Sequence, residues 1–270
     1  QAAQWRQSLA DYGPAASTSM AAIDTALVVG LLRQLWTSKT ETATRLRGRI
    51  ERIWDAEKVA GAVSGDNPAR WRGHLDKLLP RPSKVARVAH HRAMPYPDVP
   101  GLVARLAERD GLARRALRFT ILTAARTGEV TGATWAEFDL EAATWTIPAA
   151  RMKGGREHVV PLVPAAVALL APLRRDRPPF PLSENGMLAL LQKRPPKGLG
   201  EPYTVHGFRS SFRDWAAETT SHAAEVVEMA LAHTIPNKVE AAYRRGNLLA
   251  KRRELMEAWA GFVAAGVNPP

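Results

Sequence analysis

Residues 204–209 of the chain read Thr-Val-His-Gly-Phe-Arg, and the residues that follow have the apolar spacing of a helix up to Glu218. His206 and Arg209 stand three apart at the predicted start of this helix, so both side chains can point from one face. An imidazole, a guanidinium and the backbone amides of a first helical turn together suit a phosphate group. The rest of the sequence must decide whether this pair forms a site or arises by chance.

Upstream residues offer further charged groups. Arg126 ends an apolar helical stretch in the run Thr-Ala-Ala-Arg-Thr-Gly-Glu, and Glu129 can hold its guanidinium by a local ion pair. Lys153 lies at the tip of a predicted hairpin, between extended runs at residues 144–147 and 158–162. Taken singly, the first two residues are equally well explained as a surface salt bridge and Lys153 as a solvated turn lysine.

A third group lies near the C-terminal end. Residues 231–233 read Leu-Ala-His just before the helix-breaking Pro236, and Tyr243 follows His233 by ten residues. A phenol has an unperturbed pKa of about 10, so it attacks well only where a base and nearby cations favour loss of its proton. Each of these residues is ordinary by itself.

Six positions, taken in order along the chain, resemble the signature of the tyrosine recombinases, the phage-integrase family. They are Arg126, Lys153, His206, Arg209, His233 and Tyr243. Residues 67–75, 90–96 and 135–140 further resemble the integrases of satellite phages and genomic islands. The resemblance covers nearly the whole chain and implies an enzyme that cleaves and rejoins DNA strands.

The resemblance implies a role for each residue. Tyr243 would attack a DNA phosphate, displace the 5′ oxygen and keep the 3′ phosphate as a covalent phosphotyrosine. Arg126 and Arg209 would clamp the non-bridging oxygens, where negative charge gathers during attack. Lys153 would protonate the leaving oxygen, which is a poor leaving group as an alkoxide.

The remaining site residues have supporting roles under the same resemblance. His206 is the candidate acid or base for the phenol, His233 would donate a hydrogen bond to the phosphate, and Glu129 would hold Arg126. No cofactor and no metal are expected. The sequence contains neither a His-Glu-x-x-His motif nor the clustered carboxylates of a two-metal nuclease.

The amino-acid composition limits the kinds of molecule that the protein can bind and the chemistry that it can use. Lysine and arginine outnumber aspartate and glutamate by 38 to 26, which gives a net charge of +12 and suits a polyanion. An arginine-rich, alanine-rich chain can also reflect genomic base composition, so charge alone does not decide for DNA. The absence of cysteine excludes a disulfide framework, a thiol nucleophile and a cysteine zinc site.

The predicted fold is mainly α with a small antiparallel β-sheet (α+β), in the two-domain architecture of tyrosine recombinases. Residues 1–82 are predicted to form a helical core-type DNA-binding domain with helices at 23–35 and 40–60, the first beginning near a cap at Asp24. Residues 83–93 form a basic linker within the proline-rich stretch 80–100, and residues 94–270 form the catalytic domain. The other predicted helices lie at 102–122, 183–193, 206–218, 223–232 and 248–263, with a proline-rich loop at 172–181.

Several basic residues of the N-terminal part are candidates for contacts with DNA phosphates. They are Arg45, Arg49, Arg52, Arg81, Lys84 and Arg87. For the first three, a solvated helix face is an equally good interpretation of the spacing.

The sequence therefore predicts a site-specific DNA recombinase, or integrase, of a mobile genetic element. Two alternatives are a DNA-binding protein on this fold that does not cleave, and a type IB topoisomerase. Expected partners are double-stranded DNA attachment sites, copies of the chain forming a homotetramer on DNA from a monomer in solution, and DNA-bending and excision factors. No membrane segment of about 18 apolar residues is found, so the expected location is cytoplasmic and nucleoid-associated. The abrupt start at Gln1 suggests a fragment without the arm-binding domain typical of the family.

Overall fold

The computed structural model describes residues 2–85, 92–192, 203–233 and 246–265. The chain divides into two compact units, residues 1–90 and 91–270. The predicted borders of the DNA-binding domain, at residue 82, and of the catalytic domain, at residue 94, stay a prediction. Within the described ranges, no helix combines the length and apolar content needed to cross a membrane.

The first unit is helical, and its two longest helices follow the predicted ones closely. It contains α1 (Ala2–Tyr12), α2 (Thr25–Trp36), α3 (Thr40–Val59) and α4 (Pro82–Val85), with 3₁₀ turns at Met20–Ala22 and Leu75–Lys77. Asp24 caps α2 as predicted, because its carboxylate accepts a hydrogen bond of 2.8 Å from the Leu27 amide. The apolar stripes of α2 and α3 face each other and form a small separate core around Leu32, Leu46 and Trp54.

The second unit carries the sheet and most of the helices. Its helices are α5 (Val99–Ala107), α6 (Leu112–Thr123), α7 (Thr127–Thr131), α8 (Pro164–Leu170), α9 (Gly186–Gln192), α10 (Gly207–Thr219), α11 (Ala224–Ala230) and α12 (Leu249–Ala264). Short 3₁₀ turns lie at Tyr96–Asp98, Trp135–Glu137 and Ala149–Arg151. A mainly helical fold with a small antiparallel sheet was predicted, and it is confirmed.

The sheet has three antiparallel strands in the order β1 (Phe138–Asp139), β2 (Thr144–Ile147) and β3 (His158–Pro161). The predicted hairpin is β2 and β3, with Trp145 paired opposite Val160. The strand β1 was not predicted, because two residues are too few to show alternation. It is held to β2 by a stack of Phe138 on Trp145, with ring centroids 5.4 Å apart.

Three details of the predicted secondary structure were wrong. The proline-rich stretch 80–100, for which an extended linker is predicted, is not wholly extended, since Pro82 begins α4 and Pro100 lies in the first turn of α5, where a missing amide costs no hydrogen bond. The single helix at 102–122 is two helices, because Gly111 at φ +156° breaks the chain between α5 and α6. The short helices α7 and α8 were not predicted.

A cluster of aromatic rings joins α10 to α12. Trp259 is fully buried, lies 5.0 Å from the ring of Trp215 and 5.5 Å from that of Phe212, and donates a hydrogen bond of 2.9 Å to the Ile121 carbonyl. This contact fixes α12 against both α10 and the last turn of α6. Because α10 carries Arg209 and α6 leads into Arg126, the cluster sets the spacing of the two arginines.

The start of α10 is pressed against an extended segment of the second unit. The Arg92 carbonyl accepts a hydrogen bond of 3.1 Å from the Thr204 amide, and Ser211 donates its hydroxyl to the Met94 carbonyl. A Cβ built on Gly207 would lie 2.3 Å from the Arg92 oxygen. Only glycine therefore allows this close approach beside His206.

We expect Gly207→Ala to lower the free energy of unfolding by about 1–3 kcal/mol, because backbone at this distance cannot give way as a side chain can. Gly261→Ala is the matched control, since α12 leaves its Cβ position open and the change should stabilise the protein by about 0.5–1 kcal/mol. Thermal unfolding of both variants measures the difference. Equal unfolding temperatures for the two variants would contradict the described packing.

Candidate active site

Arg209 is the buried centre of the site. It lies in the first turns of α10 and is only 5% exposed. Its Nη1 donates to the Ala124 carbonyl and its Nη2 donates to the Leu231 carbonyl at 2.6 Å. Burial, and after it the charge of Arg126, lowers the pKa of the Arg209 guanidinium to about 10, so the group stays cationic at neutral pH.

Arg126 lies at the N-terminal cap of α7 and is held by Glu129. One carboxylate oxygen of Glu129 accepts from the Arg126 backbone amide and the other from Nη1, both at 2.7 Å. The predicted ion pair is thus present, and Glu129 itself is 5% exposed. The remaining Nη2 of Arg126 reaches the carbonyls of Leu231 and Ala232 at 3.5 and 3.4 Å.

The two guanidinium groups therefore meet at one place, the C-terminal end of α11. The Leu231 carbonyl accepts from both Arg209 and Arg126. Two cations this close repel each other, and the backbone carbonyls and the carboxylates of Glu129 and Glu228 offset part of that repulsion. Within the described residues, the buried Nε of Arg209 also lacks an acceptor. Such a pair has the charge and the donors to hold an anion.

His233 completes the group and is oriented by a carboxylate. Its Nδ1 lies 2.6 Å from Glu228 Oε2, and its Nε2 lies 3.1 Å from Arg209 Nη2. An Nδ1–H that donates to Glu228 leaves the Nε2 lone pair to accept from Arg209, so these contacts fit the neutral ring with its proton on Nδ1. Ala232, in the left-handed region at φ +48°, turns the chain so that the ring faces Arg209.

Glu228 was not identified from the sequence. Partial burial raises the pKa of its carboxyl, but the hydrogen bond from His233 and the charge of Arg213, whose Nε lies 2.8 Å from Glu228 Oε1, lower that pKa further, and the net shift is downward. The carboxylate therefore stays charged beside the imidazole. A lone glutamate five positions before a histidine gives no sequence signal, because the contact depends on the turn at Ala232.

His206 takes the N-cap position of α10 and is exposed. It lines a surface groove of about 390 Å³ together with residues of the start of α7 and the residues before α9, among them Thr127, Gly128 and Asn185. One wall of this groove is Thr127, the residue after Arg126, and neither Arg126 nor Arg209 lines it. The role predicted for His206 stays a prediction.

Lys153 and Tyr243 are not brought to this cluster by the described contacts. Lys153 is exposed in the turn between β2 and β3. Tyr243 lies in 234–245, outside the described residues, as does Arg87 in 86–91. The roles predicted for these three residues stay predictions. Nowhere in the described part of the chain do three His, Asp or Glu side chains cluster closely enough to hold a metal ion.

The DNA-binding candidates of the first unit differ in their surroundings. The guanidinium groups of Arg49 and Arg52 lie over the ring of Trp5, 5.8 and 5.7 Å from its centroid, and so hold α1 against α3. Arg45 pairs with Glu41 on the same helix at 2.8 Å. Arg81 and Lys84 are exposed at the start of α4. Arg52 remains exposed beside this ring, and the DNA contacts predicted for Arg45, Arg49 and Arg52 stay predictions.

His158, also not identified from the sequence, joins the sheet to the end of α11. It is the first residue of β3, and its imidazole hydrogen-bonds to the Ala230 backbone. Burial, and after it the charge of Arg252, lowers the pKa of this imidazole to about 4, although that hydrogen bond and the charge of Glu129 oppose the shift. The ring is therefore neutral in the folded protein at neutral pH.

We expect His158 to make the protein less stable as the pH falls. Since the folded pKa of about 4 lies below the ordinary histidine value of 6.5, the unfolded chain takes up the proton first, and stability is lost between pH 6.5 and 4. In His158→Gln this part of the loss should disappear, which is about 2 kcal/mol at pH 5, or about 4–8 °C in Tm. Melting curves at several pH values measure it.

His222→Gln serves as the control, because it removes a histidine from a surface turn of the same unit. Its melting temperature should follow that of the parent protein at every pH. If His158→Gln kept the full pH dependence of the parent, the described environment of His158 would be wrong.

Comparison with known proteins gives the same family for both units. A model of the phage integrase family matches residues 98–248, and a model of the phage integrase central domain matches residues 1–74. The prophage integrase IntZ of Escherichia coli is 32% identical over 259 residues, which cover 90% of this chain and 61% of IntZ. The integrase of Enterobacteria phage P4 is 32% identical over 259 residues, which cover 85% of this chain and 56% of that integrase. The chain thus spans little more than half the length of these relatives.

Solved structures show the same fold. The crystal structure of a lambda integrase dimer bound to a COC′ core site is 14% identical, with a TM-score of 0.62 and coverage of 86% of both chains. A lambda integrase tetramer bound to a Holliday junction is 15% identical, with a TM-score of 0.61, and the match covers 87% of this chain and 71% of that one. The predicted two-domain tyrosine-recombinase architecture is therefore confirmed. Since the family model covers more than half of its length, the chain belongs to the phage integrase family of tyrosine recombinases, in the branch of prophage and satellite-phage integrases.

Proposed function

We propose that the chain is the strand-cleaving part of a site-specific DNA recombinase that acts through a 3′-phosphotyrosine on Tyr243. The observation that carries this proposal is the meeting of Arg126 and Arg209 at the Leu231 carbonyl, in the unit that belongs to the integrase family. A DNA phosphodiester supplies the negative charge that this pair of cations needs. Attack on its phosphorus adds charge to the non-bridging oxygens, and preorganised guanidinium groups then bind the transition state more tightly than the ground state.

His233 would change its hydrogen bonds when the phosphate arrives. In the described arrangement its Nε2 faces a donor, Arg209 Nη2, and so cannot itself donate. To donate to a phosphate oxygen, Nε2 would have to carry a proton, while the carboxylate of Glu228 holds the ring through Nδ1.

His206 and Lys153 would carry the proton transfers. His206, exposed beside the groove, would accept the phenolic proton of Tyr243 as its oxygen forms the bond to phosphorus. As the bond from phosphorus to the 5′ oxygen breaks, Lys153 would deliver a proton to that oxygen. The position of Lys153 in a hairpin turn supports this role, because a long flexible side chain there can reach a bound duplex. Rejoining reverses each step.

The proposed substrate is a pair of double-stranded attachment sites, on which copies of the chain form a tetramer. Lambda integrase is described as a dimer on a core site and as a tetramer on a Holliday junction, and the shared fold supports the same assembly here. Residues 1–82 would bind one side of the duplex and residues 94–270 the other, joined by the basic linker 83–93. Arg81 and Lys84, exposed at the start of that linker, are the best placed of the basic candidates. Such a protein works on DNA in the nucleoid.

Tyr243→Phe is expected to bind DNA as the parent does and to form no covalent adduct, because only the attacking oxygen is removed. The probe is a pool of nicked duplexes tiled across the DNA that flanks the chain's own coding sequence. Cleavage beside a nick releases a short fragment, so rejoining cannot reverse it. Adducts are separated in denaturing gels, and peptide mapping identifies the modified residue.

Tyr203→Phe is the matched control, since it removes a phenol from the same unit and should leave the adduct intact. An adduct on a residue other than Tyr243, or equal amounts from Tyr243→Phe and the parent, would overturn the proposed nucleophile. Tight binding without any adduct from the parent would favour a DNA-binding protein that does not cleave.

DNA binding is also expected to weaken steeply with salt. Each phosphate neutralised by lysine or arginine contributes about −0.9 to the slope of log affinity against log salt concentration. Fluorescence anisotropy of a labelled duplex between about 50 and 200 mM salt measures this slope. A flat titration would argue against a phosphate clamp.

A further inference from the structure

Arg252 is a buried cation that lies apart from the arginine cluster. It is on α12, is 2% exposed, and donates its Nε to the Asn247 carbonyl at 2.8 Å and its Nη1 to the Val159 carbonyl at 2.7 Å. One guanidinium thus ties the loop before α12 to the strand β3. Burial lowers the pKa of this guanidinium to about 10, so it remains charged at neutral pH.

The loop that Arg252 holds is an unusual one. Leu248, directly after Asn247, lies in the left-handed region at φ +50°, a conformation that is unfavourable for a residue with a Cβ. Asn247 also accepts a hydrogen bond from the Leu249 amide through its side-chain oxygen, at 3.1 Å. A strained turn held from both sides is fixed in one conformation by its surroundings.

This arrangement is a costly way to pack a helix. A buried charge requires desolvation of several kcal/mol, and a well-packed apolar side chain of similar size often stabilises a protein as much or more. The rings of Trp259 and its neighbours already hold α12 in the core. The cost of burying the Arg252 guanidinium is therefore better explained by the need to fix the turn at Asn247 than by the stability of α12.

The turn lies four residues after Tyr243 in the sequence. On the other side of that tyrosine, the Leu231 and Ala232 carbonyls are held by Arg126 and Arg209. Buried guanidinium groups therefore fix the chain both before and after the residues from 234 to 245. The strand β3 contacts the chain on both sides of residues 234–245, since His158 contacts Ala230 and the Val159 carbonyl accepts from Arg252.

We propose that Arg252 is a positioning residue for strand cleavage, which acts through the Asn247 carbonyl to set where the chain re-enters the fold after Tyr243. The proposal rests on the proposed function of Tyr243 as nucleophile. Because Asn247 is only four residues after Tyr243 in the sequence, we expect a displacement of this anchor to displace the phenol. An attacking atom misplaced by roughly 1 Å reacts about 100-fold more slowly, so the anchor controls the rate of attack and leaves DNA affinity unchanged.

The test compares Arg252→Met and Arg252→Lys with Arg253→Met. Arg253 is the matched control because it lies on the same helix and also donates to backbone carbonyls, those of Ala142 and Ala143, which belong to the loop between β1 and β2. Each variant is assayed for thermal unfolding, for duplex affinity and for the rate of adduct formation with the nicked substrate. Lysine keeps a cation at the site, so Arg252→Lys provides a folded variant if the methionine variant is unstable.

A second substrate separates positioning from proton transfer. In it, sulfur replaces the bridging 5′ oxygen, so the leaving group needs no acid. Loss of the acid by Lys153→Ala should be largely restored by this substrate, since no proton has to be delivered. Loss of positioning should not be restored, because attack by the phenol is still slow.

We expect Arg252→Met to form adduct about 100-fold more slowly than the parent on both substrates, with duplex affinity unchanged, and Arg252→Lys to fall between them. Arg253→Met should cleave at the parent rate. Parent-like cleavage by Arg252→Met, equal losses in Arg252→Met and Arg253→Met, or restoration by the sulfur substrate would each overturn the positioning role. Absence of any adduct at Tyr243 in the parent would instead overturn the proposed function, and this inference with it.

Discussion

The hydrogen bonds from the buried Arg209 guanidinium to two backbone carbonyls are the constraint on which the second unit depends. One carbonyl, that of Ala124, ends α6, and the other, that of Leu231, ends α11. A single cation thus joins helix ends that are remote in sequence and brings Arg126 beside itself. Because a planar guanidinium donates in fixed directions, the contact fixes both distance and angle. The proposed phosphate clamp thus uses the same arginines that satisfy the carbonyl ends of these helices.

The same chemistry recurs on the far side of the proposed nucleophile. Arg252 binds carbonyls of a strained turn and of β3, as Arg209 binds carbonyls of two helix ends. Backbone carbonyls are acceptors that no substitution removes, so an arginine that binds them fixes the chain whatever the neighbouring side chains are. A buried charge of this kind adds little to the free energy of folding, but it fixes the positions of the groups around it. A site that holds several groups around one phosphorus would need such fixed positions.

The sequence predicted what depends on local spacing. Apolar periodicity located α2, α3, α10 and α12 within a few residues, and the three-residue spacing gave the pair of Arg126 and Glu129. It could not predict contacts that depend on backbone turns and long-range packing. The orientation of His233 by Glu228 needs the left-handed Ala232, and the carbonyl contacts of Arg252 need the sheet beside α12. The packing of Arg49 on Trp5 likewise follows from the fold and not from the helix pattern.

The proposed chemistry requires the arginine cluster and the phenol to act on the same phosphate. A crystal structure of the Tyr243→Phe variant on a duplex with an intact attachment site is the decisive measurement. We expect one phosphate whose non-bridging oxygens lie at hydrogen-bonding distance, about 3 Å, from both Arg126 and Arg209, with the ring of residue 243 pointing at its phosphorus. A structure in which the two arginines bind different phosphates, or in which that ring points away from the bound one, would contradict it.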